Sequence, residues 1–171
     1  FRHVDQAMYR AKRGGRNRVE LWKPGNELPV ATVRVEWQKE WNSGNKTIDR
    51  QHQAIITLGN TLISLDAEKK KSAEVKQAVE ELIVTIQDHF QDEEALLAAS
   101  GYPDAEHHKR IHRTLYSEAR EMQESFIKGK IETAILFDYI IHKLILDHIL
   151  TTDIMYFPYV REKAAGKKNH G

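Results

Sequence analysis

Two pairs of metal-binding residue types, both at helical spacing, fall within the 24 residues from His89 to His112. His89-Phe-Gln-Asp-Glu93 is H-x-x-x-E and His108-Lys-Arg-Ile-His112 is H-x-x-x-H. Residues four apart on an α-helix lie ~40° apart around its axis and ~6 Å along it, so each pair aims two donors into one space. Between the pairs, Ala98-Ala-Ser-Gly-Tyr-Pro103 reads as the end of one helix and the start of another. Gly101 is free to take a positive φ there, and Pro103 suits a first turn. The spacing therefore predicts two antiparallel neighbouring helices with opposed ligand faces.

Helical periodicity extends this pattern to four segments. The first runs from Thr47 to Ala67 with Ile48, His52, Ile55, Ile56, Leu58 and Leu62 on one stripe. The second starts near Ser72 and passes through Val75, Val79, Leu82, Ile86, His89, Glu93 and Leu96. The third spans Pro103 to Ile127, and the fourth Ile131 to Thr152. Connections of four to eight residues favour an all-α, up-down-up-down four-helix bundle. Val30 to Gln38 alternates apolar and polar residues, as either an edge strand or an extended arm laid over the bundle. Arg161 to Lys168 reads as a frayed basic tail.

Of nine histidines, five fall on apolar helix stripes: His52, His89, His108, His112 and His148. His107 and His142 point ~100–120° away from the ligand direction of their helices. One core histidine is ordinarily a hydrogen bonder. Two ligand pairs with a further face-matched histidine on each remaining helix point instead to a metal centre. The sequence has no cysteine, so the ligands are nitrogen and oxygen, which suits iron, manganese, zinc or copper. Five histidines exceed the needs of one metal with an open position, whereas two metals sharing carboxylates use the whole set.

The chain has 171 residues, 30% charged, with a net charge of +1. That balance gives no reason to expect nucleic acid as a partner. No apolar run approaches the ~20 residues that span a bilayer and no signal peptide opens the chain, so a cytoplasmic protein without membrane insertion is expected. The sequence begins at Phe1 without an initiator methionine and reads as part of a longer protein. Lys23-Pro-Gly-Asn-Glu-Leu-Pro29 punctuates it as a linker. The expected divisions are residues 1–22, a linker at 23–32, a bundle domain at 33–160 and a tail at 161–171.

Residues 4–19, Val-Asp-Gln-Ala-Met-Tyr-Arg-Ala-Lys-Arg-Gly-Gly-Arg-Asn-Arg-Val, resemble the closing helix and strand of GGDEF diguanylate cyclase domains. The resemblance covers Phe1 to Trp22 and implies that Lys12 and Arg16 are a remnant of a nucleotide-phosphate site. The GG(D/E)EF loop itself does not occur, so no cyclase activity is carried over.

Residues 33–159 resemble bacterial hemerythrin domains. The likeness rests on Trp37, Gly44, Ile48-Asp49-Arg-Gln-His52, His89-x-x-x-Glu93-x-x-Leu96, Tyr102-Pro103, His108-Lys109-x-x-His112 and His148-Ile149-x-x-x-Asp153. It implies two non-heme irons with an oxo or hydroxo bridge. His108, His112 and His148 would hold one iron, His52 and His89 the other, and Glu93 and Asp153 would bridge them. O2 would bind reversibly at the iron with two histidines, with NO or small anions as other ligands. Asp153 enters through the resemblance alone, because five residues after His148 is ~140° round a regular helix. A bend or widened turn must bring it in.

An apolar wall around the open iron is expected from Ile55, Ile56, Ile86, Leu96, Leu97, Leu115, Leu144 and Ile145, each one turn from a ligand. The family often carries tryptophan where this chain has Leu144, a change expected to leave a cavity or channel. The sequence thus points to an oxygen- or redox-sensing domain joined to an upstream GGDEF domain and not itself catalytic. An oxygen store or carrier is the alternative, and a ferritin-like di-iron oxidase a third, disfavoured because histidines outnumber carboxylates and no E-x-x-H lies on the ligand faces.

Overall fold

The computed structural model describes residues 34–67 and 72–168. Among them all regular structure is helical: a 3-10 turn at Lys39–Trp41, then α1 (Lys46–Ala67), α2 (Ser72–Ser100), α3 (Ala105–Ile127) and a compound fourth element. That element starts as α4 (Thr133–Tyr139) and widens into a π-helical stretch at Ile140–Thr152. It then tightens into a 3-10 turn at Asp153–Tyr156 and continues as α5 (Phe157–Lys168). The GGDEF-like segment with Lys12 and Arg16, and the linker after it, lie outside the described residues.

Local chemistry explains the helix boundaries. Asn45 caps α1, its Oδ1 accepting the N–H of Thr47 (2.9 Å) and of Ile48 (3.3 Å), and so satisfies donors that the first turn leaves free. After Ser100, Gly101 takes φ +76°. A Cβ there would meet nothing within 4 Å, so the glycine is required by conformation and not by space. α3 begins at Ala105, two residues later than the expected Pro103, which lies in the preceding turn.

Residues 34–38 form no strand, and Gln38 has extended backbone (φ −108°, ψ 145°). Val35 instead docks on the side chain of Asn60, donating its N–H to Oδ1 (2.9 Å) and accepting from Nδ2 at its carbonyl (2.9 Å). Over the described residues 34–38 of that segment, the arm reading is the one observed. Trp37 packs edge-on against Trp41, ring centroids 5.7 Å apart, and stands 6.2 Å from the His52 ring.

Cross-links show how the helices align. Glu80 meets Gln123, Gln87 meets Tyr116 and Glu94 meets Lys109, so numbers rise on α2 as they fall on α3 and the two run in opposite directions. The main core includes Ile55, Leu62, Val79, Leu82, Ile86, Phe90, Leu136, Leu144 and Ile145. Burying one such side chain contributes about 1.5–3 kcal/mol. A second, smaller cluster joins Leu97 of α2 to Tyr156, Phe157 and Val160.

The expectation of a frayed tail from Arg161 is corrected by the structure. α5 runs through Lys168, crossing the expected boundary at 160, with Pro158 in its first turn where the missing N–H costs nothing. Two contacts hold it. Arg161 donates to the carbonyl of Asn42 with its guanidinium 5.5 Å from the Phe157 ring centroid, and Lys163 donates to the carbonyl of Ala99 at the end of α2. Basic residues looked solvated in the sequence because periodicity does not show these backbone acceptors.

Candidate metal centre

Seven of the nine buried polar or charged residues described meet in one place: His52 from α1, His89 and Glu93 from α2, His108 and His112 from α3, His148 from the π-helical stretch and Asp153 from the turn after it. None is more than 2% exposed. An enclosed group of this kind is costly for a fold, because buried charges need close compensation.

The π-helical stretch solves the placement of Asp153. Its backbone N–H bonds to the carbonyl of His148, five residues back. The hydroxyls of Thr151 and Thr152 likewise bond the carbonyls of Leu146 (2.8 Å) and Asp147 (2.9 Å), each five residues back. This i→i+5 register sets side chains five apart on one face, where a regular helix would separate them.

The carboxylates divide their oxygens between two groups of imidazoles. Glu93 Oε1 lies 2.7 Å from His108 Nε2 and 3.7 Å from His112 Nε2, and Asp153 Oδ1 lies 3.2 Å from His108 Nε2 and 3.3 Å from His148 Nε2. Glu93 Oε2 faces His89 Nε2 (2.9 Å) and His52 Nε2 (3.8 Å), and Asp153 Oδ2 faces His52 Nε2 (3.3 Å). The donor atoms of Glu93, His108, His112, His148 and Asp153 all lie within 4.8 Å of one another, as do those of His52, His89, Glu93 and Asp153. Two sites therefore share two carboxylates, one oxygen to each.

Short as these separations are, none is a hydrogen bond. All five Nε2 atoms and all four carboxylate oxygens are buried without a hydrogen-bond partner. Their lone pairs converge on the space between them, which is how metal ligands are arranged. Buried polar atoms are otherwise almost always paired, so the residues present fit a pair of cations.

Outer contacts fix two imidazoles in the required tautomer. His112 Nδ1 lies 3.3 Å from Glu94 Oε1, which also pairs with Lys109 (3.3 Å) through its other oxygen. His89 Nδ1 lies 3.5 Å from Gln51 Oε1, while Gln51 Nε2 donates to Asp92 at 2.7 Å. With an acceptor facing Nδ1, that nitrogen carries the proton and Nε2 is left with its lone pair inward.

Charge within the protein cluster balances internally. Burial opposes protonation of His52 and His108, but the Asp153 and Glu93 carboxylates outweigh it and push both up to about 9. His112 is pushed down to about 3 by burial, with the neighbouring His148 and His108 adding to the effect. Burial also lowers His148. Burial raises both carboxylates, and Glu93 raises Asp153 further, yet the surrounding histidines win and hold both below the usual carboxylate range.

The expected wall residues divide between the two clusters. Ile55, Ile56, Ile86, Leu115, Leu144 and Ile145 lie in the main core, whereas Leu97 belongs to the smaller cluster, against which the half-buried Leu96 packs. Leu144 is itself buried, 2% exposed, within the main core. His107 is exposed and His142 half-buried, and neither joins the centre.

Sequence reasoning missed Phe90. Its ring stacks on His112 (3.9 Å, 9°) and stands edge-on to His148 (5.5 Å). One residue beyond His89, it lies off the ligand face of α2, and only the neighbouring helices bring it to the ligands. Gln51, Glu94 and Tyr156 were also missed. Each neighbours a ligand in sequence or spacing, the one signal available.

A helical bundle enclosing two nitrogen-rich sites that share two carboxylates defines a paired-metal protein without heme or thiolate. Residues 43–160 match the model of the hemerythrin HHE cation binding domain. The chain is 29% identical over 126 residues to a bacteriohemerythrin of Campylobacter jejuni strain 81-176, covering 74% of this chain and 95% of that protein. It is 30% identical over 130 residues to a bacteriohemerythrin of Pseudomonas paraeruginosa strain PA7, covering 75% and 83%. A bacteriohemerythrin of Stenotrophomonas maltophilia strain R551-3 is 32% identical over 94 residues, covering 55% and 61%. The chain belongs to the hemerythrin HHE family. Proteins of this family bind a di-iron centre, and the histidine–carboxylate cluster here is suited to holding one.

Proposed function

We propose that this chain is the O2-binding and redox-sensing domain of a signalling protein, an up-down-up-down bundle joined to an upstream GGDEF domain and not catalytic in itself. His108, His112 and His148 would hold one iron, His52 and His89 the other, and Glu93 and Asp153 would serve both. The observation that carries the reading is the division of the carboxylate oxygens: each of Glu93 and Asp153 turns one oxygen to each histidine group. When bound, the iron pair supplies reversible O2 binding with electron transfer from both metals.

The protein's own part is to enclose and orient. Gln51 and Glu94 hold His89 and His112 with Nε2 inward, Phe90 braces His112 and His148, and the buried core that includes Ile55, Ile86 and Ile145 would exclude water from the centre. The signalling role is supported by the GGDEF-like residues 4–19 and a short linker ahead of the bundle. Among the described residues no helix is long and apolar enough to cross a membrane, which fits a cytoplasmic sensor.

The test is metal analysis with an absorption spectrum of purified protein, reduced and then exposed to air. Two irons per chain and an oxygenated band that disappears on removal of O2 are expected. One zinc and no iron after growth in iron-replete medium overturns the di-iron reading. A band that persists for hours in air favours the oxygen-storage alternative over redox sensing.

A further inference from the structure

Tyr156 lies in the 3-10 turn Asp153–Tyr156 that follows the π-helical stretch. Side chains three apart in such a turn eclipse one another, so Tyr156 projects on the same side as Asp153. It is fully buried. Its ring meets His108 edge-on (centroids 5.9 Å, 82°), Tyr102 (6.3 Å) and Phe157 (5.1 Å), and packs with Leu97 and Val160. These contacts account for the ring, and phenylalanine would make them equally well. They do not account for the hydroxyl, which is buried without a hydrogen-bond partner. The ring stands against His108, whose Nε2 lies 2.7 Å from Glu93 Oε1, which puts the phenol in the neighbourhood of that carboxylate, and burial together with the Glu93 and Asp153 charges holds its proton on.

A tyrosine hydroxyl both donates and accepts, whereas an ionised carboxylate only accepts. Next to Glu93 and Asp153 the phenol can act only as donor. Each carboxylate oxygen has more than one lone pair. A cation that takes the lone pair facing the histidines leaves another for a hydrogen bond from outside.

We propose that Tyr156 is a positioning residue for the metal pair: its O–H donates to the Glu93 carboxylate when two cations are bound and fixes that carboxylate across both. The inference rests on the reading of Glu93 as a bridge. Tyr156 does for the shared carboxylate what Gln51 and Glu94 do for His89 and His112. Outer-shell partners of this kind typically govern tenfold to hundredfold in metal affinity.

The experiment compares the parent with Tyr156→Phe, which removes the hydroxyl and keeps the ring. Urea unfolding is followed in chelator-treated protein, and affinity for Zn2+, a redox-silent probe, is measured by competition with a chelator. The metal-free variant is expected to be at least as stable as the parent, because it loses an unpartnered buried hydroxyl. Its zinc affinity is expected to fall about tenfold to hundredfold. A residue that serves packing alone shifts neither quantity, and one already bonded in the metal-free fold destabilises it when removed. Either result overturns the proposal. A parent that takes up no metal overturns the metal reading and the inference together, whereas equal affinities overturn only the role of Tyr156.

Discussion

The backbone N–H of Asp153 bonds to the carbonyl of His148, five residues earlier, and this one register places both side chains in the same cluster. Regular α-helical winding would carry Asp153 away from the carboxylate position it shares with Glu93. The widened helix is therefore part of the site.

If Asp153 bridges, Asp153→Ala removes one oxygen from each metal position at once. Metal content is expected to fall from two per chain to one or none, measured by elemental analysis after gel filtration. Retention of two metals would show that Glu93 alone couples the sites.

Such a register explains how far the site could be read from sequence. His52, His89, Glu93, His108 and His112 follow 3.6-residue periodicity because α1, α2 and α3 are regular, and three of the four apolar segments are legible for the same reason. Asp153 obeys a five-residue period that no apolar pattern signals, so only likeness to a family located it. Phe90 and Tyr156 reach the centre through packing between helices. α5 was read as a tail because its anchors are the carbonyls of Asn42 and Ala99, which no residue type reveals.

Glu94 faces His112 Nδ1 at 3.3 Å and is not itself in either donor group. Glu94→Ala frees that imidazole to rotate and to change tautomer. Metal affinity at the position served by His108, His112 and His148 is expected to drop about tenfold to hundredfold, with the helix content unchanged. Chelator competition monitored alongside circular dichroism checks this, and equal release rates from parent and variant would show that packing by Phe90 suffices to hold the ring.

His52 and His108 predict the pH dependence. Their folded-state values of about 9 lie above the ordinary 6.5. The stability that their charges give the metal-free protein is therefore full below about pH 6.5 and is lost as pH rises through about 9. Metal ligation requires neutral imidazole. Uptake at neutral pH should release about two protons per chain, and affinity should climb about a hundredfold per pH unit until these histidines titrate near 9. A pH-stat titration with Zn2+ measures the release directly. No acid at neutral pH would mean that both histidines are already neutral and that the carboxylates find their compensation elsewhere.

Leu144 tests whether access to the centre is set by its side chain. It lies four residues before His148 on the π-helical stretch, 2% exposed, within the same core as Ile55, Ile86 and Ile145. Tryptophan at this position would have to displace well-packed neighbours, and overpacking of that kind costs about 1–3 kcal/mol. Alanine has the opposite effect, opening a cavity beside the ligands at a cost of about 2–5 kcal/mol. If apolar packing here excludes water from the iron with two histidines, Leu144→Ala should hasten decay of the oxygenated band in air and Leu144→Trp should slow it, both with full iron content. Decay rates that follow stability, fast in both variants, would instead show that loosening of the whole bundle governs access and that the leucine has no part of its own.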